Sequence, residues 1–198
     1  NGTPDSPIIF TSAQDNIETG QKAGTNLTLE DKGLWGGIVL LGQAPISAAP
    51  KTTSPDQYES TFYNTLLDQS YTYGGNDVDN NSGELTYVSI RHAGSGTDND
   101  SLSGLTLAGV GNGTVIETIE VIASGSNAFD VRGGTVEPKG LLAHAHGNDG
   151  IGIQEGFEGS IVDAMILNRN GSDDGLNIEG PAGDNPNNIN GVAFNKFS

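Results

Sequence analysis

The stretch Gly147-Asn-Asp-Gly-Ile-Gly-Ile-Gln-Glu-Gly156 decides how the chain reads. Four glycines fall in ten residues, apolar residues stand at alternate positions, and acids flank them. Taken once, it is a phosphate cradle, a metal loop or turn punctuation. It does not occur once. Gly125–Gly134 (GSNAFDVRGG) lies upstream and Gly171–Gly180 (GSDDGLNIEG) downstream, with starts 22 and 24 positions apart. The residues before each also match: ETIEVIAS, KGLLAHAH and DAMILNRN. Self-similarity at that period marks a repeat architecture. Within each unit apolar residues alternate, so the pieces are strands rather than helices.

Aligning the units puts Ile119 and Val121 level with Leu141 and Ala143, then with Met165 and Leu167. Phe129 and Val131 fall level with Ile151 and Ile153, then with Leu176 and Ile178. The expected apolar column therefore contains Ile119, Val121, Phe129, Val131, Leu141, Ile151, Ile153, Met165, Leu167, Leu176 and Ile178. Two or three short strands per unit, joined by Gly/Asn/Asp/Ser turns, fit one coil of a parallel β-helix. The fold class expected is all-β: a right-handed, single-stranded solenoid with coils of about 22–25 residues. The glycines then serve sharp turns, where positive φ costs them little. A phosphate loop requires a helix N-terminus after it, and no helical period follows these stretches.

The chain has 198 residues, 30 of them glycine, and only 6% are aromatic, which suits narrow coils filled by small and β-branched side chains. Cysteine is absent, so disulfides do not hold the fold. No apolar run reaches membrane-spanning length. Eight basic residues against 25 acidic ones give a net charge of −17, which repels nucleic acid and anionic lipid. The charge reads either as a solvated exterior or as carboxylates that take up divalent cations.

Along the chain, PIIFTSAQD (7–15) reads as a strand and turn, 16–33 as a loop, and 34–46 as a buried strand region with a glycine corner. Residues 47–83 form a long excursion, a common place for function in a solenoid. Its middle, Gln57 to Leu67, carries Tyr58, Phe62, Tyr63, Leu66 and Leu67 at the spacing of a short amphipathic helix. Coils then run onward, and residues 181–198 are expected to start another near Val192. The chain is read as one β-helix domain over 1–198. Both ends lie in repeat-like sequence without recognisable caps, so a piece of a longer chain is expected.

The phrases PIIFTSA, LWGGIVLLGQAPI, YGGNDVDNNSGELTYVSIRHAG, GLTLAGVG and FDVRGGTVEPKGLLAHAHGNDG occur in that order. As a set they resemble the secreted or surface-attached right-handed β-helix proteins of Bacteroidetes and marine bacteria, among them lipoproteins. The resemblance covers most of residues 7–180 and implies a parallel β-helix and an exported, cell-surface location. It carries over no catalytic residues. Where that family tends to place an acidic pair before the Phe of the GGT coil, this chain has Asn127-Ala128.

Asp77, Asp79 and Asn81 alternate like the first three ligands of a calcium loop. The pattern then departs, with Ser82 at the glycine position and Val88 at the glutamate position. The alternative is an Asx-rich turn. Asp98 and Asp100 form a second candidate calcium pair. Strand alternation points His144 and His146 outward, where they join Arg91, Asn168 and Asn170 in a polar strip, with Asp149, Asp173 and Asp174 at the turn beyond. A His or Asp on such a strip can serve as general acid or base on a polysaccharide. Two histidines at i and i+2 can also share a metal. His92 aligns with small residues and is read as structural. Trp35 and Tyr58, Phe62, Tyr63, Tyr71 and Tyr73 either form a sugar-binding surface or pack the excursion against the coils.

The expected role is therefore an exported, non-catalytic structural or adhesin-like module, calcium-stabilised and assembling with other chains or a surface protein. The alternative is carbohydrate binding or cleavage, as a polysaccharide lyase or glycoside hydrolase, on the exterior strip. Neither nucleic acid binding nor membrane insertion is expected.

Overall fold

The computed structural model describes residues 1–47, 50–51, 54–64, 68–96 and 102–180. Its strands are β1 (Ile8–Phe10), β2 (Ile38–Leu41), β3 (Pro50–Lys51), β4 (Ser54–Tyr58), β5 (Ser60–Asn64), β6 (Gln69–Tyr73) and β7 (Glu84–Arg91). They continue with β8 (Leu105–Ala108), β9 (Val115–Ile122), β10 (Phe129–Arg132), β11 (Lys139–His144), β12 (Ile151–Gln154), β13 (Val162–Leu167) and β14 (Leu176–Ile178). One sheet has the order β1-β7-β9-β11-β13 and a second the order β2-β8-β10-β12-β14. Every neighbouring pair in both sheets is parallel. Each coil gives one strand to the first sheet and the next to the second, so the coil itself is the crossover that parallel pairing needs. This is the expected parallel β-helix.

Ladders of inward side chains fill the interior. Val88, Ile119, Leu141 and Ala164 stand level in the first sheet. Leu105, Phe129, Ile151 and Leu176 stand level in the second. Val110, Val136, Phe157 and Ile161, on the irregular third side, join the same core. Burying these side chains is the main stabilising term.

The column departs from expectation in its last coil. Leu141 is level with Ala164, not Met165, and Ala143 with Ile166, not Leu167. A one-residue slip moves a whole strand to the other face. Met165 and Leu167 accordingly point outward, 59% and 41% exposed. Matching large residues to large ones misplaces them, whereas the real column alternates size, as in Val121–Ala143–Ile166. Ile178 keeps its expected register with Ile153 but stays exposed on the outermost strand of its sheet.

The corners use an uncommon device. Tyr87, Thr118, Gly140 and Asp163 all have positive φ and stack within the first sheet. His92, Ala123 and Ala145 do the same where that sheet ends. Gly109, Gly133 and Glu155 do so where the second sheet ends. Outside glycine, this conformation costs roughly 1–2 kcal/mol per residue. The stacked backbones answer with bonds from coil to coil, such as His92 N to Ile122 O (2.9 Å) and Ala123 N to His144 O (2.9 Å).

In its described residues the excursion is strand and turn, not helix. β3 pairs with β4 and β5 with β6, both antiparallel, and Phe62 faces Tyr71 across the second hairpin. Aromatic and hydroxyl residues prefer this pleated setting. Leu66 and Leu67 lie outside the described residues, as does the expected coil near Val192. Tyr58, Phe62 and Tyr73 are buried. Phe62 and Tyr73 cluster with Ile46 and Ala108, against Val39, Leu41 and Leu102. The β5–β6 hairpin thereby covers the apolar exterior of β2 and β8. Tyr58, Phe62 and Tyr73 of the aromatic concentration are thus packing residues and Tyr71 is exposed, while the Tyr63 side chain lies outside what is described.

Candidate functional site

Beyond the hairpins, the outer face of the second sheet turns polar. Between the inward residues of β10 and β12 stand outward Asp130, Arg132, Gly152 and Gln154. Register places Thr106, Asp130, Gly152 and Asn177 in one row. Ala108, Arg132 and Gln154 form the next. Gly152 has no side chain, and the row dips there into a cavity of about 130 Å³. Asp130, Gln154, Asn177 and Glu179 line it from the sheet side, and Asn127, Asn148 and Asp149 from the corner.

Its polar groups are held in fixed positions. Arg132 Nε donates to Asp130 Oδ2 (2.8 Å), and Gln154 Nε2 donates to Asp130 Oδ1 (2.9 Å). Asn177 Nδ2 donates to Asp149 Oδ2 (3.1 Å), while no hydrogen bond among the described residues reaches Asp149 Oδ1. Asn127 Oδ1 accepts from Asn148 Nδ2 (2.7 Å) and from the Asp149 amide (3.1 Å). Asp130 and Asp149 are both buried, so their bonds offset a real desolvation cost.

The hairpins meet this face at Glu155. Tyr73 Oη donates to its carboxylate, 2.9 Å from both oxygens. The Arg132 guanidinium lies 5.7 Å from the centre of the Phe62 ring. Burial raises the Glu155 carboxyl above its ordinary range, against the opposing pull of Tyr73 and Arg132. Burial, then the charge of Glu155, pushes the Tyr73 hydroxyl up to about 12, so it remains a donor. Burial pulls the Arg132 guanidinium down, but Asp130 beside it more than compensates and keeps it charged.

A carboxyl with a raised folded-state pKa holds its proton more tightly when folded than when unfolded. Its favourable contribution is therefore present at low pH and is lost as pH rises through the raised value. Glu155→Gln removes that loss. In urea denaturation at about pH 4.5 and about pH 7.5, the variant should gain on the wild type as pH rises. A variant that instead falls behind with rising pH would mean that the folded protein favours the charged carboxylate.

The residues expected from sequence are dispersed. His146 is fully buried, not outward, because Ala145 turns the chain at positive φ before it. Its Nδ1 lies 2.7 Å from Asn148 O and its Nε2 3.1 Å from Asn168 Oδ1. His144 is half-buried on the other sheet, level with Ile122 and Leu167 rather than with Asn168. The His144/His146 strip therefore does not exist as a shared face, and no metal pair forms from it. Asn168 and Asn170 are exposed beyond the end of β13. Arg91 is tied to Ser89, Glu120 and Lys22 O. Asp174 is exposed at the turn, and its carbonyl accepts from the Gly150 amide. His92 is buried, with Nδ1 2.6 Å from Asp31 O, consistent with a structural role. Only Asp149 of the expected set lines the cavity.

In the calcium candidate, Asp77 Oδ1 accepts from the Asp79 amide (3.2 Å) and Asn81 Oδ1 from the Gly83 amide (2.8 Å), which is turn chemistry. Asp98 and Asp100 lie outside the described residues. Among the described residues no three His, Cys, Asp or Glu side chains come together as a metal-holding group.

Sequence reasoning misses Asp130, Arg132, Gln154 and Glu155, and offers Tyr73 only as part of the aromatic concentration. A signal is present nonetheless: FDVR and IGIQ carry charged or amide residues, and a glycine, at the outward positions of strands whose inward residues are plain.

Two stacked parallel sheets around a packed apolar interior define the class, a parallel β-helix. The chain belongs to the pectate-lyase-like β-helix domain family, whose profile matches residues 1–197. No curated protein and no solved structure matches it.

Proposed function

We propose that this chain is an exported, non-catalytic carbohydrate-binding module that holds a glycan against the outer face of the second sheet. The carrying observation is the row Asp130–Gly152–Asn177, where a glycine opens a cavity between fixed amides and carboxylates. Amides present donors and acceptors together, and carboxylates present acceptors, which is the set a sugar hydroxyl needs. Coil spacing sets Asp130, Gly152 and Asn177 in line along the axis, which suits an extended ligand. Asp130 is committed to Arg132 and Gln154, and Glu155 to Tyr73, which favours holding over proton transfer. The exported setting rests on the resemblance in the ordered phrases.

The test is a glycan array with wild type and Asn177→Ala. Wild type should bind a subset of glycans, and Asn177→Ala should weaken the same subset about ten-fold, the scale of one lost hydrogen bond to a charged partner's network. An array without any bound glycan would sink the reading.

End-to-end assembly is the second reading, favoured by β13, the outermost strand of its sheet among the described residues, with exposed Met165 and Leu167. Sedimentation that stays monomeric up to high protein concentration would remove it.

A further inference from the structure

We infer that the recognised glycan is uncharged, a polymer of neutral sugars rather than a polyuronate or a sulfated chain. This rests on the carbohydrate-binding reading and specifies its ligand. Asp130, Asp149 and Glu179 line the cavity, and Glu155 follows the lining residue Gln154 in the chain. Among the described residues, Arg132 is the cation that stands beside them. Its Nε is bonded to Asp130, and its guanidinium plane lies by Phe62. No lysine among the described residues lines the cavity. An acidic sugar would thus meet Asp149 and Glu179, with Arg132 as the neighbouring cation, its charge already offset by Asp130. Repulsion at such range is strong where buried groups lower the effective dielectric. The chain's net charge of −17 adds to it at longer range.

Toward a cationic sugar the net charge is attractive, so the choice of a neutral one rests on the lining, where four amide side chains outnumber the carboxylates and Glu179 stands at the exposed edge. Both Asp130 oxygens are engaged, and Asp149 keeps only Oδ1 unengaged among the described residues. The remaining lining groups include the amides of Asn127, Asn148, Gln154 and Asn177. A carboxylate oxygen beside amide N–H and C=O groups matches a pair of neighbouring hydroxyls, accepting from them and donating to them.

Gly152 supplies a clean probe. Its backbone is not in the positive-φ region, and an added Cβ would meet chiefly Asn127 Nδ2, at 2.6 Å, the far end of a flexible side chain. Gly152→Leu should keep the coil and fill the cavity.

Affinity electrophoresis at low ionic strength would use neutral polymers (soluble β-glucan, mannan, galactan), acidic ones (polygalacturonate, alginate) and chitosan as a cationic probe. Wild type and His144→Ala, on the other sheet, should be retarded by at least one neutral polymer and by neither acidic one, and any retardation by chitosan should be the same in Gly152→Leu, because the net charge of −17 attracts a polycation without the cavity. Gly152→Leu should lose at least ten-fold in the neutral-polymer affinity while keeping the wild-type circular dichroism spectrum. If it misfolds, Asn177→Ala takes its place. Binding of a polyuronate or chitosan that Gly152→Leu abolishes would overturn the uncharged assignment and leave the binding face standing. Neutral-polymer binding unchanged in Gly152→Leu, or no binding to any polymer, would overturn the binding face itself.

Discussion

Phe129→Ala lowers stability by about 3–5 kcal/mol, the range for emptying a large aromatic site in a packed core. Phe129 is 1% exposed, on a strand paired on both sides, and level with Leu105 and Ile151. The ring cannot be replaced by collapse of its neighbours, because each coil's backbone is bonded to the coils on either side. The vacated volume therefore stays open. Urea denaturation followed by circular dichroism measures the loss. Met165→Ala is the matched comparison, expected within about 0.5 kcal/mol of wild type because Met165 faces outward. If Met165→Ala cost as much as Phe129→Ala, Met165 would have to face the core and the register of β13 against β11 would shift by one residue.

Gly134→Val should cost roughly 3–5 kcal/mol, through two causes that act together. Gly134 has φ +86, where a β-branched residue is strained. A Cβ there would also stand 2.4 Å from Val110 O and 2.8 Å from Val110 N. Both contacts are backbone atoms of the neighbouring coil and cannot swing away. Gly171 separates the causes, since it shares φ +86 but has nothing within 4 Å of an added Cβ. Gly171→Ala should cost only about 1–2 kcal/mol, the conformational term alone. Equal losses at the two sites would show that coil contact contributes nothing at Gly134.

These residues also show what the sequence makes legible. The pairing of Phe129 with Ile151 and Leu176 is readable because FDVR, IGIQ and LNI sit beside recognisable glycine turns. The pairing of β13 is not, because its segment offers Met165 and Leu167 as tempting matches for Leu141 and Ala143. A column that alternates size looks locally wrong when like is matched to like. The fate of His146 is hidden by Ala145, an ordinary residue in a left-handed conformation. Strand alternation continues through such a residue on paper and stops there in space. The excursion misleads for another reason. Tyr58, Phe62 and Tyr63 fit a helical period and a strand period over so short a run, and only pairing partners decide between them.

The binding face requires both kinds of knowledge. Asp130 and Arg132 are visibly outward once Phe129 and Val131 are inward. Their meeting with Glu155, and through it with Tyr73 of the hairpins, spans 82 residues of sequence and is a property of the fold. Gly152 is similarly ambiguous alone: one more glycine among 30. It becomes informative because its row neighbours are Asp130 and Asn177.

The most direct measurement is an amide chemical-shift map of the isotopically labelled protein with and without a glycan that it binds. Binding on the outer face of the second sheet predicts shifts concentrated at Asn127, Asp130, Asn148, Asp149, Gly152 and Asn177, with β9, β11 and β13 undisturbed. Shifts centred instead on the outer face of the first sheet, around His144 and Met165, would contradict it.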